Sequence, residues 1–251
     1  MRKGNLLLTF LLSISIAGVC AKAVCADGQT VVAFRLDQKG IADGAYSMWV
    51  TKNAARVDFP RINMYCVTES PSGRAAMVNT KTHDYYEMPV AKWFDSGLHI
   101  GDNATINDVP VQIPARWRDK EAILLSRKIK PEDSHLNKAE GLFRDGKERG
   151  VECNAENVLY SKEIEVSPQV AVFLEGVFRV PSTKVLLQRT QIFPDGHTQV
   201  VLETQKVSQE PVPAKFFRVP AHCRLVNNRR AATGELRQRT EAGELIEDLF
   251  R

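Results

Sequence analysis

Cysteine is scarce in this chain of 251 residues, with five in all. Cys20 and Cys25 fall in the first 26 residues, which leaves Cys66, Cys153 and Cys223, and no Cys-x-x-Cys occurs. A thioredoxin-like redox role therefore lacks its motif. An odd number of thiols allows at most one internal disulfide among Cys66, Cys153 and Cys223, and spacing does not choose the pair; a buried free thiol is the alternative. Chemistry-bearing motifs are equally sparse. There is no Gly-x-Ser-x-Gly, no phosphate-cradling glycine loop and no dinucleotide fingerprint, which removes the common hydrolase and nucleotide-binding patterns. The five histidines, His83, His99, His135, His197 and His222, are scattered, with none at metal-ligand spacing. His83-Asp84 reads as ordinary strand-start material after a polar turn. No catalytic residue, metal or cofactor is expected, and the chain reads as a non-enzymatic protein.

No apolar run is long enough for a convincing membrane span. The run Leu6 to Val19, preceded by Arg2 and Lys3 and followed by small residues, has the layout of a secretory signal, with Val24 and Ala26 placing the favoured cleavage after Ala26. Val19 directly before Cys20 argues against a lipidated cysteine. Removing residues 1–26 takes Arg2, Lys3 and Lys22 from the 34 basic side chains, leaving 31 against 30 acidic ones. The near-neutral remainder gives no reason to expect nucleic acid as a partner. The expected location is the periplasm or the exterior, with peripheral rather than integral membrane contact.

What is present is a series of short strand patterns. From Ala45 to Trp93 the runs AYSMWV, ARVDF, INMYCVTE, RAAMVN and HDYYEM alternate with polar breaks containing Pro60, Ser70-Pro71-Ser72-Gly73 and Asn79-Thr80-Lys81-Thr82, the pattern of a β-meander. Successive side chains point to opposite faces, so one face is greasier than the other and needs cover. Met48, Met64, Met77 and Met88 recur through this stretch. Together with Val50, Val57, Phe59 and Tyr86 they form the set expected to line an adaptable apolar surface, with ordinary core packing as the alternative. A register slip of one residue would reverse every facing.

Elsewhere, Thr30 to Leu36 reads as a strand and Asp37 to Gly40 as turn material. Asp95 to Pro114 reads as a long loop or irregular edge, a candidate flap. Helices are predicted over Ala115 to Lys128 and, more clearly, Pro131 to Arg144. Strand patterns resume at Asn157 to Val166, Ala171 to Val180 fits either a strand or a buried helical turn, and Val185 to Val207 is a hairpin around Pro194-Asp195-Gly196. Glu210 to Cys223 reads as a terminal turn clamping onto the sheet through Phe216 and Phe217. The tail from Arg229 is charged, helical or extended.

The order of elements resembles the LolA-like superfamily of periplasmic proteins, which includes lipoprotein carriers and related domains of unassigned function. The resemblance rests on the strand ending Tyr85-Tyr86-Glu87-Met88-Pro89, the helix leading into Gly150-Val151-Glu152-Cys153, and the long hairpin running to Phe217-Arg218-Val219-Pro220; it covers roughly residues 30 to 225. Related chains often end Phe-x-Val-Pro-x-Gly-aromatic, whereas His222 and Cys223 fill the last two places here. The resemblance implies a mainly β (α+β) fold, a curved antiparallel sheet or half-barrel with helices packed in its concave face. It implies residues 27–226 as one domain between a signal at 1–26 and a tail at 227–251. It also implies a hydrophobic concavity for a lipid, an acyl chain or a lipidated protein segment; the family gives no residue for its lining, and the set expected there, Met48, Val50, Val57, Phe59, Met64, Met77, Tyr86 and Met88, comes from the strand pattern alone. The alternative is an interaction or sensor domain whose core is self-filled and whose partners are other envelope proteins.

Overall fold

The computed structural model describes residues 29–41, 44–96, 111–128, 153–178, 180 and 184–233. The proposed signal, the central part of the candidate flap, the helix expected over Pro131 to Arg144, and the tail beyond 233 lie outside the described residues. Among those described, no helix is long and apolar enough to cross a membrane.

The strands of the described residues are β1 (Thr30–Gly40), β2 (Gly44–Val50), β3 (Ala54–Phe59), β4 (Met64–Glu69), β5 (Arg74–Asn79), β6 (Asp84–Pro89), β7 (Val111–Trp117), β8 (Lys120–Lys128), β9 (Ala155–Ser161), β10 (Leu186–Ile192), β11 (Thr198–Pro213) and β12 (Arg224–Leu225). They form one open 12-stranded sheet in the order β12-β6-β5-β4-β3-β2-β1-β11-β10-β9-β8-β7. Every pairing is antiparallel except the short parallel pair of β12 with β6. The fold is mainly β, as the alternating patterns require. Helices α1 (Pro168–Phe178) and α2 (Arg229–Thr233) accompany it among the described residues, with 3-10 turns at Val90–Ser96 and Ala214–Phe217.

The meander strands stand where period-two patterning places them. The β10–β11 hairpin also matches: Gly196 sits at φ +83° and its N–H donates to Phe193 O at 2.9 Å. Here the left-handed conformation suits glycine. The element over Ala171 to Val180 resolves as helix α1. Ser167 starts it, its carbonyl accepting from Ala171 N at 2.9 Å and its hydroxyl facing Val170 N at 3.4 Å, with Pro168 in the first turn. Val170, Phe173, Leu174 and Val177 then share one buried stripe.

Three expectations are corrected. Ala115 to Lys128 is not a helix but most of the β7–β8 hairpin, turned at Arg118 (φ 55°) with Trp117 opposite Lys120. β8 pairs with β7 on one side and β9 on the other, so sheet hydrogen bonding outweighs the helical spacing of Trp117, Leu124 and Leu125. Asp37 to Gly40 continues β1, because it has partners on both sides: Asp37 faces Ser47 and Lys206. Gln38 is buried there, donating to Leu186 O at 2.9 Å and Thr204 Oγ1 at 2.8 Å. Finally, the start of the charged tail belongs to the domain: Ala232 is buried and its carbonyl accepts from Asn79 Nδ2 at 3.2 Å.

The sheet buries apolar side chains on both faces. A large cluster collects meander residues, α1, Trp93 and residues of β8 to β11. A smaller one lies on the opposite side beneath the turn at Ala214–Phe217. Register shifts at Asp37/Gln38, Leu186/Gln188 and Arg189/Thr190 are the kind of irregularity that bends a strand and increases its twist.

Candidate functional site

Register converts the eight expected lining residues into a surface. Leu36, Met48, Val57, Cys66, Met77 and Tyr86 face one another in sequence across β1 to β6. Two residues along, Phe34, Val50, Ala55, Thr68, Ala75 and Met88 form the next row, and Phe59 opposite Met64 begins a third. Residues i and i+2 share a face, so Met48, Val50, Val57, Phe59, Met64, Met77, Tyr86 and Met88 occupy one side of the sheet. All eight belong to or pack against the same cluster. Cys66 lies among them, and burial pushes its thiol well above its ordinary pKa.

This face is covered rather than open to water. Val170, Phe173, Leu174, Val177 and Phe178 of α1 are buried against it, and Met48, Val50, Val57 and Met77 have no exposed surface. Tyr46 meets Phe59 and Phe178 with ring centroids at 5.8 and 6.2 Å. The helix is tied at its first turn: Ser167 N donates to Lys52 O at 2.7 Å, Gln169 Nε2 donates to Thr68 Oγ1 at 3.0 Å and Glu69 O at 3.1 Å, and Gly73 N donates to Gln169 Oε1 at 3.1 Å. Past Gln169, the side chains that α1 buries in the cluster are apolar. Beside the helix, Trp93 is fully buried and its indole N–H has no hydrogen-bond acceptor among the described residues. A buried donor left unpaired costs about 1–3 kcal/mol.

On the face that Val158 and Tyr160 share, Glu156 is buried between Arg127 and Arg189 in an ion triad. Burial raises the Glu156 pKa, but Arg189 and Arg127 outweigh it and hold the carboxyl below its ordinary value. Sequence reading missed this triad because its members come from three strands.

The opposite face carries the C-terminal strap, residues 214–223; the turn expected from Glu210 begins four residues later, because 210–213 complete β11 opposite β1. Phe217 is buried, and Phe216 meets Trp49 edge to face at 5.2 Å. The Arg56 guanidinium lies between the Tyr65 ring at 3.7 Å and the Phe216 ring at 4.2 Å, while its nitrogens bond Asp58 and Phe216 O. Where the strap ends, His83, His222 and Cys223 bring their ligating atoms within 4.8 Å of one another. No spacing pattern flagged these three, because His83 precedes β6 and the other two precede β12.

Cys66, Cys153 and Cys223 are all free thiols. Cys66 packs in the large cluster and Cys223 against the smaller one on the other side, so the sheet separates them. Cys153 faces Ala155 O and Ile192 O. His197 is an exposed turn residue stacked on Phe193 at 4.2 Å, whereas His99 and His135 lie outside the described residues.

No family model matches the chain, and no curated protein matches it. The chain is similar to a crystal structure of an uncharacterized conserved protein from Thermus thermophilus, at 9% identity and a TM-score of 0.34, over 77% of this chain and 89% of that one.

Proposed function

We propose that this protein is a non-enzymatic envelope protein that holds an acyl chain, of a lipid or a lipidated protein, between the β1–β6 face and helix α1. The observation that carries the reading is the cover itself. The broad methionine-bearing face of an open sheet is covered at its middle strands, β3 and β4, by a helix hydrogen-bonded to the meander at its first turn and packed beyond it through apolar side chains, with the segment after β6 beside it. A helix held at one end by hydrogen bonds and along its length by non-directional apolar contacts can swing out and return. Methionine side chains refit readily around a flexible chain. The Trp93 N–H, without an acceptor among the described residues, offers a donor to an ester or carboxyl oxygen at the head of such a chain. The order of elements resembling LolA-like proteins, and the signal-like N-terminus, support the same reading, with the periplasm as its location.

A second reading draws on the complete burial of Met48, Val50, Val57 and Met77: the space is self-filled, and the domain serves an envelope protein partner. Mass spectrometry of an organic extract separates the two, using protein purified from a bacterial periplasm without detergent beside an unrelated periplasmic control. Near-stoichiometric acyl species support the carrier. A clean extract from folded protein that also takes up no added fatty acid supports the self-filled domain.

A further inference from the structure

Away from the apolar face, three metal-ligating side chains converge from two segments. His83 stands in the turn between β5 and β6; His222 and Cys223 end the strap. The segments are locked together by backbone bonds: Arg224 N donates to His83 O at 2.8 Å and Val226 N to Tyr85 O at 2.9 Å, within the parallel pairing of Arg224 with Asp84. His83 is itself fixed. Its N–H donates to Asn79 O at 3.0 Å, and Asn79 Oδ1 accepts from Lys81 N at 2.9 Å and Thr82 N at 3.0 Å. Its φ of 58° is uncommon for a residue other than glycine. On the other segment, Cys223 N donates to Pro220 O at 3.0 Å, a turn that presents His222 and Cys223 together. The two imidazole rings meet edge to face with centroids 4.9 Å apart.

We propose that His83, His222 and Cys223 bind a borderline-soft divalent metal ion, Zn²⁺ in the first instance, which staples the C-terminal strap to β6. Two imidazoles and a thiolate suit zinc and exclude calcium and magnesium, which take oxygen ligands. Bond lengths of about 2.0–2.1 Å to nitrogen and 2.3 Å to sulfur put tetrahedral ligand atoms roughly 3.3–3.7 Å apart. The present spread, within 4.8 Å, closes on small rotations of two exposed histidine side chains. Both histidines are exposed and Cys223 is half-buried, so the fourth position faces solvent and takes water or a ligand atom from a partner. The strap packs through Phe216, Phe217, Val219 and Cys223 on the face opposite α1. Metal binding is thereby coupled to strap closure, not to occupancy of the apolar face, and it holds whichever reading of that face is correct.

The test uses the mature chain stripped with chelator and titrated with Co²⁺ as a spectroscopic probe, then with Zn²⁺ in competition. One Co²⁺ per chain is expected, with a near-ultraviolet thiolate-to-cobalt band that Cys223→Ser abolishes. His83→Asn, which keeps a side chain tolerant of positive φ, and His222→Gln weaken binding at least tenfold. Without metal each variant melts at the temperature of the metal-free parent, and Zn²⁺ raises the melting temperature of the parent by more than that of any variant. Absence of saturable binding in the parent overturns the proposal. So does binding that survives in the triple variant, because the ion then sits elsewhere.

Discussion

Trp93 and Phe173 lie with ring centroids 5.3 Å apart and planes tilted by 35°, both without exposed surface. Through this contact the segment after β6 and helix α1 act as one cover over the meander face. Truncating a buried aromatic removes its transfer free energy and leaves a cavity. Phe173→Ala is expected to lower the unfolding free energy by about 3–5 kcal/mol, measured by urea denaturation, with Trp93 fluorescence shifting to the red. A loss under about 1 kcal/mol, on the same scale, would mean that α1 contributes little to holding the face closed.

The strap depends on Arg56, held between Tyr65 and Phe216. A desolvated cation–π contact is worth about 2 kcal/mol, and the planar guanidinium also serves Asp58 and the Phe216 carbonyl. Arg56→Ala is expected to speed tryptic cleavage at Lys215 and Arg218, read by peptide mass. Arg56→Lys restores protection only in part, because an ammonium neither stacks nor forks. Equal cleavage rates in all three proteins would remove Arg56 from strap closure.

Glu156 sets a pH dependence whose sign is fixed. Its folded pKa lies below the unfolded value because Arg189 and Arg127 outweigh the effect of burial. The unfolded chain therefore binds the proton more readily, and the stabilisation is fully present above an unfolded pKa of about 4.3. It is lost as pH falls through the folded value. Glu156→Gln removes the buried carboxylate that Arg127 and Arg189 share, at an expected cost of about 3–5 kcal/mol at neutral pH. The variant should show a shallower loss of stability between neutral and acid pH, read from denaturant midpoints. An unchanged acid slope would assign that loss to other carboxyl groups.

The meander was legible because two local signals agree: turn residues such as Gly73 and Asn79 cut the chain, and period-two alternation puts Met48, Val57 and Met77 on one parity. Their convergence on one face then follows from pairing register. The β7–β8 hairpin was not legible, since Trp117, Leu124 and Leu125 satisfy helical spacing, and only the distant partner β9 decides in favour of sheet. Helix α1 was half legible: Ser167-Pro168 is a start signal, but its short apolar run also fits a strand. The triad of Arg127, Glu156 and Arg189, and the group of His83, His222 and Cys223, depend wholly on long-range topology. No spacing rule joins a turn before β6 to a segment before β12.

The most direct measurement of the carrier reading is hydrogen exchange of the full mature chain with and without a soluble acyl probe, laurate, at concentrations below its micellar range. Binding is expected to saturate at one probe per chain and to change exchange in α1, beyond the Gln169 anchor, and in the β2–β5 strands that face it, leaving the strap at 214–223 unaffected. Gln169→Ala, which releases the hydrogen bonds at the helix's first turn, should accelerate exchange in α1 without the probe. A protein that stays folded, takes up no laurate and shows the same exchange in α1 at every concentration would contradict the account and leave the apolar face as a closed core.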